Sequence, residues 1–201
     1  MDKEYTIRNA SIEDIDEVCE IEKRCFPAAE AADRDTFKMR LESFPECFWL
    51  LSIKNKTVSF INGMSTNSSE LTDEMYAGTS LYDRDGRWLM IFGVDTLPEY
   101  RGRKLASTVM ERVIEDSRAM GRRGIVLTCK EEKIGFYSRF GFINEGVSVS
   151  EHGGAVWYQM RLIFTNNIFA AISRQAEAST KRWHTPEPVS ITGTRALETT
   201  F

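Results

Sequence analysis

Apolar and polar positions change rhythm several times along the chain, and each change of rhythm marks an element. Tyr5 to Arg8 alternates as a short strand. Ser11-Ile12-Glu13-Asp14 then reads as a helix start, with Ser11 as N-cap and an acidic residue three positions on. Ile15, Val18, Cys19, Cys25 and Phe26 follow at helical spacing, so this helix buries one stripe, and Pro27 ends it. A second helix is expected over Asp35 to Glu42, where Phe37 and Leu41 stand at i and i+4. Phe48 to Ile53 and Val58 to Met64 read as strands joined by the turn Lys54-Asn55-Lys56. Thr66 to Arg87 is the longest irregular stretch, with a short helix expected around Leu71 to Tyr76. Asp73, Glu74, Asp83 and Asp85 make it acidic, which suits either plain solvation or the steering of a cationic substrate.

The strongest pattern runs from Trp88 to Gly141. An apolar strand, Trp88 to Thr96, is closed off by Pro98; a basic turn, Arg101-Gly102-Arg103-Lys104, opens straight into a long amphipathic helix. Gly121 and Gly124 bracket a turn into a second strand, Ile125 to Cys129. A strand–helix–strand unit of this kind pairs its strands in parallel. A short helix is expected within Glu131 to Phe140, and strands over Phe142 to Ser150 and Ala155 to Leu162, separated by Glu151-His152-Gly153-Gly154. The sum is an α/β chain, a mixed sheet of about seven mostly antiparallel strands with one central parallel pair, flanked by helices.

Residues 163–201 read differently. Ser, Thr and Pro are frequent, and Trp183-His184-Thr185-Pro186-Glu187-Pro188 cannot be a helix interior. Phe164, Ile168 and Ile172 at i, i+4 and i+8 predict an amphipathic helix over Asn167 to Ala178, packing on the domain or on a second copy in a homodimer. The expected organisation is one domain over 1–162 and a C-terminal extension over 163–201.

Composition narrows the function. With 42% hydrophobic and 28% charged residues over 201 positions, the chain has the make-up of a soluble globular domain with a real core. A net charge of −4 argues against nucleic acid as a partner, since neutralising phosphates needs a basic face. No apolar run approaches the ~20 residues of a membrane helix, and MDKEYTIRNA holds no apolar signal core. Cys19, Cys25, Cys47 and Cys129 are scattered, with no metal-ligand spacing, which fits free thiols in a reducing cytoplasm and no bound metal.

The candidate chemistry starts at the basic turn. The first N–H groups of a helix have no internal partner and carry the positive end of the peptide dipole, so the head of the helix at Leu105-Ala106-Ser107 is a seat for an anion. Arg101, Arg103 and Lys104 add charge, Gly102 allows close backbone approach, and a phosphate ligand is the natural occupant. The spacing fits neither GxxxxGK[ST] nor GxGxxG.

Arg101-Gly102-Arg103-Lys104-Leu105-Ala106 instead resembles the R/Q-x-x-G-x-G/A turn that holds the pyrophosphate of coenzyme A in the GCN5-related N-acetyltransferase (GNAT) family, with Lys104 where the family has glycine. Val94-Asp95-Thr96-Leu97-Pro98-Glu99-Tyr100 before it and Gly135-Phe136-Tyr137-Ser138-Arg139-Phe140-Gly141-Phe142 after it resemble the same family in the same order. Within the family, Leu127-Thr128-Cys129 and His152-Gly153-Gly154-Ala155-Val156-Trp157-Tyr158 are similar to the arylalkylamine N-acetyltransferase branch. The resemblance implies a transferase of the cytoplasm that moves an acetyl group from acetyl-CoA to the primary amine of a small molecule by direct attack. It implies that the parallel strands splay and that the pantetheine arm hydrogen-bonds the first strand around Val94, Asp95 and Thr96.

The resemblance also assigns roles. Tyr137 matches the family's general acid, and a phenol of pKa about 10 can protonate a leaving thiolate whose conjugate acid has a pKa of about 8.5. A backbone N–H near Val94 would hold the oxyanion. The two strand histidines of the arylalkylamine branch correspond here to Met90 and Phe92, an apolar wall that, with Phe26 and Pro27, would suit an aromatic or aliphatic acceptor. Strand alternation puts Met90, Phe92 and Val94 on one face and Asp95 on the other. The proton acceptor is then sought in the last loop, at Glu151 or His152. Two other readings use the same scaffold: an acyl-CoA-binding sensor without turnover, and a protein or peptide N-acetyltransferase with an open groove.

Overall fold

The computed structural model describes residues 5–150 and 152–165. The chain divides after Phe164, and the account below is of the first unit. The helix expected over Asn167 to Ala178 lies outside the described residues.

Seven strands form one sheet in the order β1-β2-β3-β4-β5-β7-β6. They are β1 (Tyr5–Asn9), β2 (Phe48–Ile53), β3 (Lys56–Thr66), β4 (Trp88–Thr96), β5 (Gly124–Cys129), β6 (Ile143–Val147) and β7 (Tyr158–Ile163). Five helices accompany them: α1 (Ile15–Cys25), α2 (Arg34–Ser43), α3 (Asp73–Ala77), α4 (Leu105–Ala119) and α5 (Ile134–Ser138). All ladders are antiparallel except β4–β5, which is parallel. The expected mixed sheet with a central parallel pair is therefore present, its strands shifted by a few residues at their ends.

Local chemistry sets the helix ends. Asp33 caps α2 by accepting the Thr36 N–H at 2.8 Å. Helix α1 stops because Phe26 is forced extended by the proline that follows it. The sheet is packed on both faces. Phe37 of α2 meets Phe48 and Phe60 edge-on, with ring centroids 6.2 and 6.1 Å away. On α4, Val109, Met110 and Val113 are fully buried, and Asp116 accepts the Trp49 indole N–H at 2.8 Å. Among the described residues no helix is long and apolar enough to cross a membrane.

The middle of the sheet departs from regularity in a way that matters for the site. The β3–β4 register shifts between Asn62 and Gly63: Asn62 pairs with Gly93 and Gly63 with Ile91, so Phe92 is an extra residue. This is a β-bulge, which breaks the simple alternation of side chains. Gly63 is required opposite it, because a Cβ there would stand 2.3 Å from the Met90 carbonyl oxygen. Beyond the bulge, β4 stays paired with β3 as far as Thr96 and β5 stays paired with β7 as far as Cys129. The parallel β4–β5 ladder, however, ends at Ile91 opposite Leu127.

Candidate active site

Past Ile91 and Leu127 the facing edges of β4 and β5 have no strand between them, which opens a wedge in the sheet. Backbone N–H and C=O groups along such an edge want partners. The wedge forms part of one cavity of about 1190 Å³ that reaches from the head of α4, past Tyr137, to the loop between α1 and α2.

At one end, Arg101, Gly102, Lys104, Leu105, Ala106 and Ser107 line the cavity. The first intrahelical bond runs from the Thr108 N–H to the Lys104 carbonyl at 3.0 Å, so the amides before it stand at the open head of the helix. Gly102 (φ 76) and Lys104 (φ 61) are both left-handed. Lys104, occupying a position that glycine adopts without strain, holds the backbone shape of the turn at a conformational cost. The Arg101 Nε donates to the Thr96 carbonyl at 3.1 Å, which ties the turn to the end of β4. Arg103 does not line the cavity; its guanidinium stacks on the Tyr100 ring at 5.1 Å. Its neighbours in the turn line the cavity, as does Tyr100, while Arg103 itself does not.

In the middle, Val94 and Thr96 line the cavity from β4, Thr128 and Cys129 from β5, and Tyr137 from α5. Tyr137 is held edge-on by Phe136 and Phe142 at 5.0 and 5.9 Å. Burial, then the Cys129 thiol and the Asp95 carboxyl, push its phenol well above the ordinary tyrosine range. A phenol so placed keeps its proton at neutral pH and is available as a donor.

At the far end, Phe26 and Pro27 line the cavity together with Phe92, Tyr76, His152 and Trp157. Tyr76 lies 5.0 Å from the Phe92 ring, stacks on His152 at 4.8 Å and 10°, and its hydroxyl meets Thr128 Oγ1 at 3.2 Å. Of the acidic Thr66–Arg87 stretch, Tyr76 reaches the cavity; Asp73, Glu74, Asp83 and Asp85 do not line it. His152 Nε2 lies 3.0 Å from the Glu30 carbonyl, and since a carbonyl only accepts, the ring donates there. Glu30 also pairs with Lys130, just after β5, at 2.7 Å, and these two contacts tie the α1–α2 loop to the last loop and to the end of β5. Glu151 lies outside the described residues.

Two placements differ from expectation, and the bulge explains the second. Met90 is fully buried and does not line the cavity; Ile91 does. Phe92 carries the Arg40 guanidinium of α2 over its ring at 4.6 Å. A Cβ on Gly93 would meet Asn62 Nδ2 at 2.8 Å, Asp95 Oδ2 at 3.0 Å and Glu22 Oε2 at 3.7 Å. Phe92, Gly93 and Asp95 thus look together toward α1 and α2, whereas straight alternation separates Asp95 from Phe92. Asp95 is fully buried and contributes no lining to the cavity.

Beside it sits Glu22, a cavity-lining residue of α1 that periodicity hid, because its position continues the buried stripe of Val18, Cys19, Cys25 and Phe26. A carboxylate on an apolar stripe was the available signal. Glu22 Oε1 accepts the Ala32 N–H at 3.0 Å, while Glu22 Oε2 and both Asp95 oxygens are buried without a hydrogen-bond donor. Burial raises both carboxyls, and the Glu22 charge raises Asp95 further. Arg40, equally buried, donates to Asn62 Oδ1 at 3.2 Å and to the Tyr76 carbonyl at 2.9 Å. Burial pulls it down to about 10, so it remains a cation at neutral pH.

Comparison with known proteins agrees with this geometry. The Acetyltransferase (GNAT) family pattern matches residues 15–142. "Probable hydrolase YhcX" of Bacillus subtilis (strain 168) is 25% identical over 137 residues, which are 63% of this chain and 26% of that protein. The chain thus matches about a quarter of the length of that curated relative. Among solved structures, the loading GNATL domain of CurA from Lyngbya majuscula superimposes with a TM-score of 0.69 at 15% identity, covering 80% of this chain and 98% of the other. The acetyltransferase yncA from Salmonella typhimurium, with its cofactor acetyl-CoA, gives 0.62 at 16% identity, covering 83% and 97%. A family pattern spanning α1 to the end of α5, a sheet opened between β4 and β5, and a helix head facing the opening all concur: this chain belongs to the GNAT family of acetyltransferases.

Proposed function

We propose that the chain transfers an acetyl group from acetyl-CoA to the primary amine of a small molecule with an aromatic or aliphatic body, the arylalkylamines being the nearest class. The observation that carries this reading is the single continuous cavity, anion-binding at one end, aromatic at the other, with Tyr137 between. A pyrophosphate fits the first end, where Arg101, Lys104 and the amides at the head of α4 would hold it. A peptide-like arm fits the wedge, whose β4 edge at Val94 and Thr96 offers the backbone groups that strand addition satisfies. The cosubstrate supplies an activated acyl group on sulfur.

The chain's residues then do the rest. A β4 amide by Val94, which lines the wedge, would stabilise negative charge on the acyl oxygen. Tyr137, which holds its proton at neutral pH, would give it to the departing sulfur. Tyr76, Phe92, His152 and Trp157 exclude water and present flat faces to the acceptor. His152 serves here as part of that wall, its Nε2 engaged with Glu30.

Thiol release from acetyl-CoA, measured with a panel of arylalkylamines, alkylamines, amino acids and peptides carrying free N-termini, tests the reading. Release with apolar primary amines above the rate without acceptor is expected. Release with peptides alone would replace the small-molecule acceptor by a polypeptide one. CoA binding without release from any acceptor would favour a sensor.

A further inference from the structure

The proposed reaction begins with an acceptor amine that is cationic in water and must lose a proton before its nitrogen can attack. We propose that Glu22 and Asp95 form a carboxyl pair sharing one proton at the wall of the acceptor chamber, and that Glu22 takes the ammonium proton. This rests on the reading of the cavity as an acetyltransferase site.

Geometry puts the two groups together from different elements. Glu22 comes from the last turn of α1 and lines the cavity; Asp95 comes from β4 behind it, turned to this side by the bulge at Phe92. An oxygen of each reaches the same spot: Asp95 Oδ2 and Glu22 Oε2 lie 3.0 and 3.7 Å from where a Cβ on Gly93 would stand, and glycine leaves that spot open. Three of their four carboxylate oxygens are buried with no donor, although buried acceptors in folded proteins are nearly always satisfied. Two carboxylates so close cannot both ionise in a dry setting, and one shared proton supplies the missing donor. The same proton leaves the pair with one negative charge. The other groups bearing on it are Arg40 from α2, His152 from the last loop, Cys25 from α1 and Tyr137 from α5. Arg40 balances the charge, and its own hydrogen bonds to Asn62 and Tyr76 keep it from joining either carboxyl.

The proton inventory then closes. An incoming ammonium gives one proton to Glu22, and the freed lone pair forms the C–N bond to the acyl carbon. As the C–S bond breaks, Tyr137 protonates the sulfur, and the second proton leaving the nitrogen restores the phenol. Glu22 returns the first proton to water, and one proton is released for each amide made.

Two readouts test the pair. First, kcat/KM against pH is measured with one amine found active in the parent, for the parent, Glu22→Gln and His152→Gln, with CoA affinity by calorimetry on each. Glu22→Gln keeps the acceptor for Ala32, so an intact fold is expected, with CoA affinity within twofold of the parent. It should lower kcat about a hundredfold and remove the acid limb that the parent and His152→Gln share. A parent-like profile in Glu22→Gln, or loss of the limb in His152→Gln alone, overturns the proposal. Second, and independent of turnover, the infrared spectrum at neutral pH should contain a protonated-carboxyl stretch that Asp95→Asn removes; its absence from the parent overturns the shared proton. An inactive parent that shows the band sinks the acetyltransfer reading and the role of Glu22 in it, while the shared proton stands.

Discussion

Asp95 has no exposed surface, and burial with the Glu22 charge nearby sets its folded pKa well above its unfolded one. The folded chain therefore binds the extra proton. The stability this contributes is complete below the ordinary carboxylate range and declines as pH rises through the raised folded value. Urea unfolding from acid to mildly alkaline pH should show stability falling by up to about 1.4 kcal/mol per pH unit over part of that range. Asp95→Asn should flatten the slope; equal slopes would mean that Asp95 ionises freely in the folded chain. Little of this was legible beforehand. Glu22 sits on an apolar helical stripe, and spacing alone assigned that stripe to the core. Asp95 was set apart from Phe92 by strict alternation, and Gly93, an isolated glycine inside an apolar strand, was the one local hint of a bulge. Lys104 was read correctly as standing at a glycine position; its left-handed backbone explains how the turn keeps its shape without one.

The bulge in β4 is what turns a sheet into a site. It brings Asp95 onto the face of Phe92 toward the helices, and the β4–β5 ladder stops at Ile91, just before it. Gly63 holds the other side of it. Gly63→Ala would set a Cβ against the Met90 carbonyl, backbone against backbone, with no side chain able to yield. A loss of about 2–3 kcal/mol in urea unfolding is expected, together with weaker CoA binding as β4 shifts. Unchanged CoA binding would separate the bulge from the wedge. The elements themselves were largely legible, because amphipathic stripes, caps and the strand–helix–strand unit are local patterns. The bulge was not, since register depends on what the neighbouring strand does. Met90 stands in the strand where spacing puts it, but it is packed over by its neighbours and does not reach the cavity, which spacing alone does not reveal.

Taken together, the open head of α4, a splayed strand pair and an aromatic chamber share one cavity, and the proposed reaction follows the order in which they meet. Arg101 lines the first of these, fixed to Thr96 by its Nε. Arg101→Ala should raise the KM for acetyl-CoA about tenfold, the loss of one charge-assisted contact, while kcat changes little; an unchanged KM would remove the pyrophosphate from that turn. The seat and Tyr137 could be named from the residues because short contiguous stretches carry them. The chamber could not, because its walls come from α1, α2, α3, β4 and the last loop, which are distant in sequence. The most direct test of the whole is steady-state thiol release by the parent and by Tyr137→Phe, with CoA affinity measured on both. Loss of the phenolic proton donor predicts a kcat lower by on the order of a hundredfold at unchanged CoA affinity. Equal kcat in the two proteins would contradict the account.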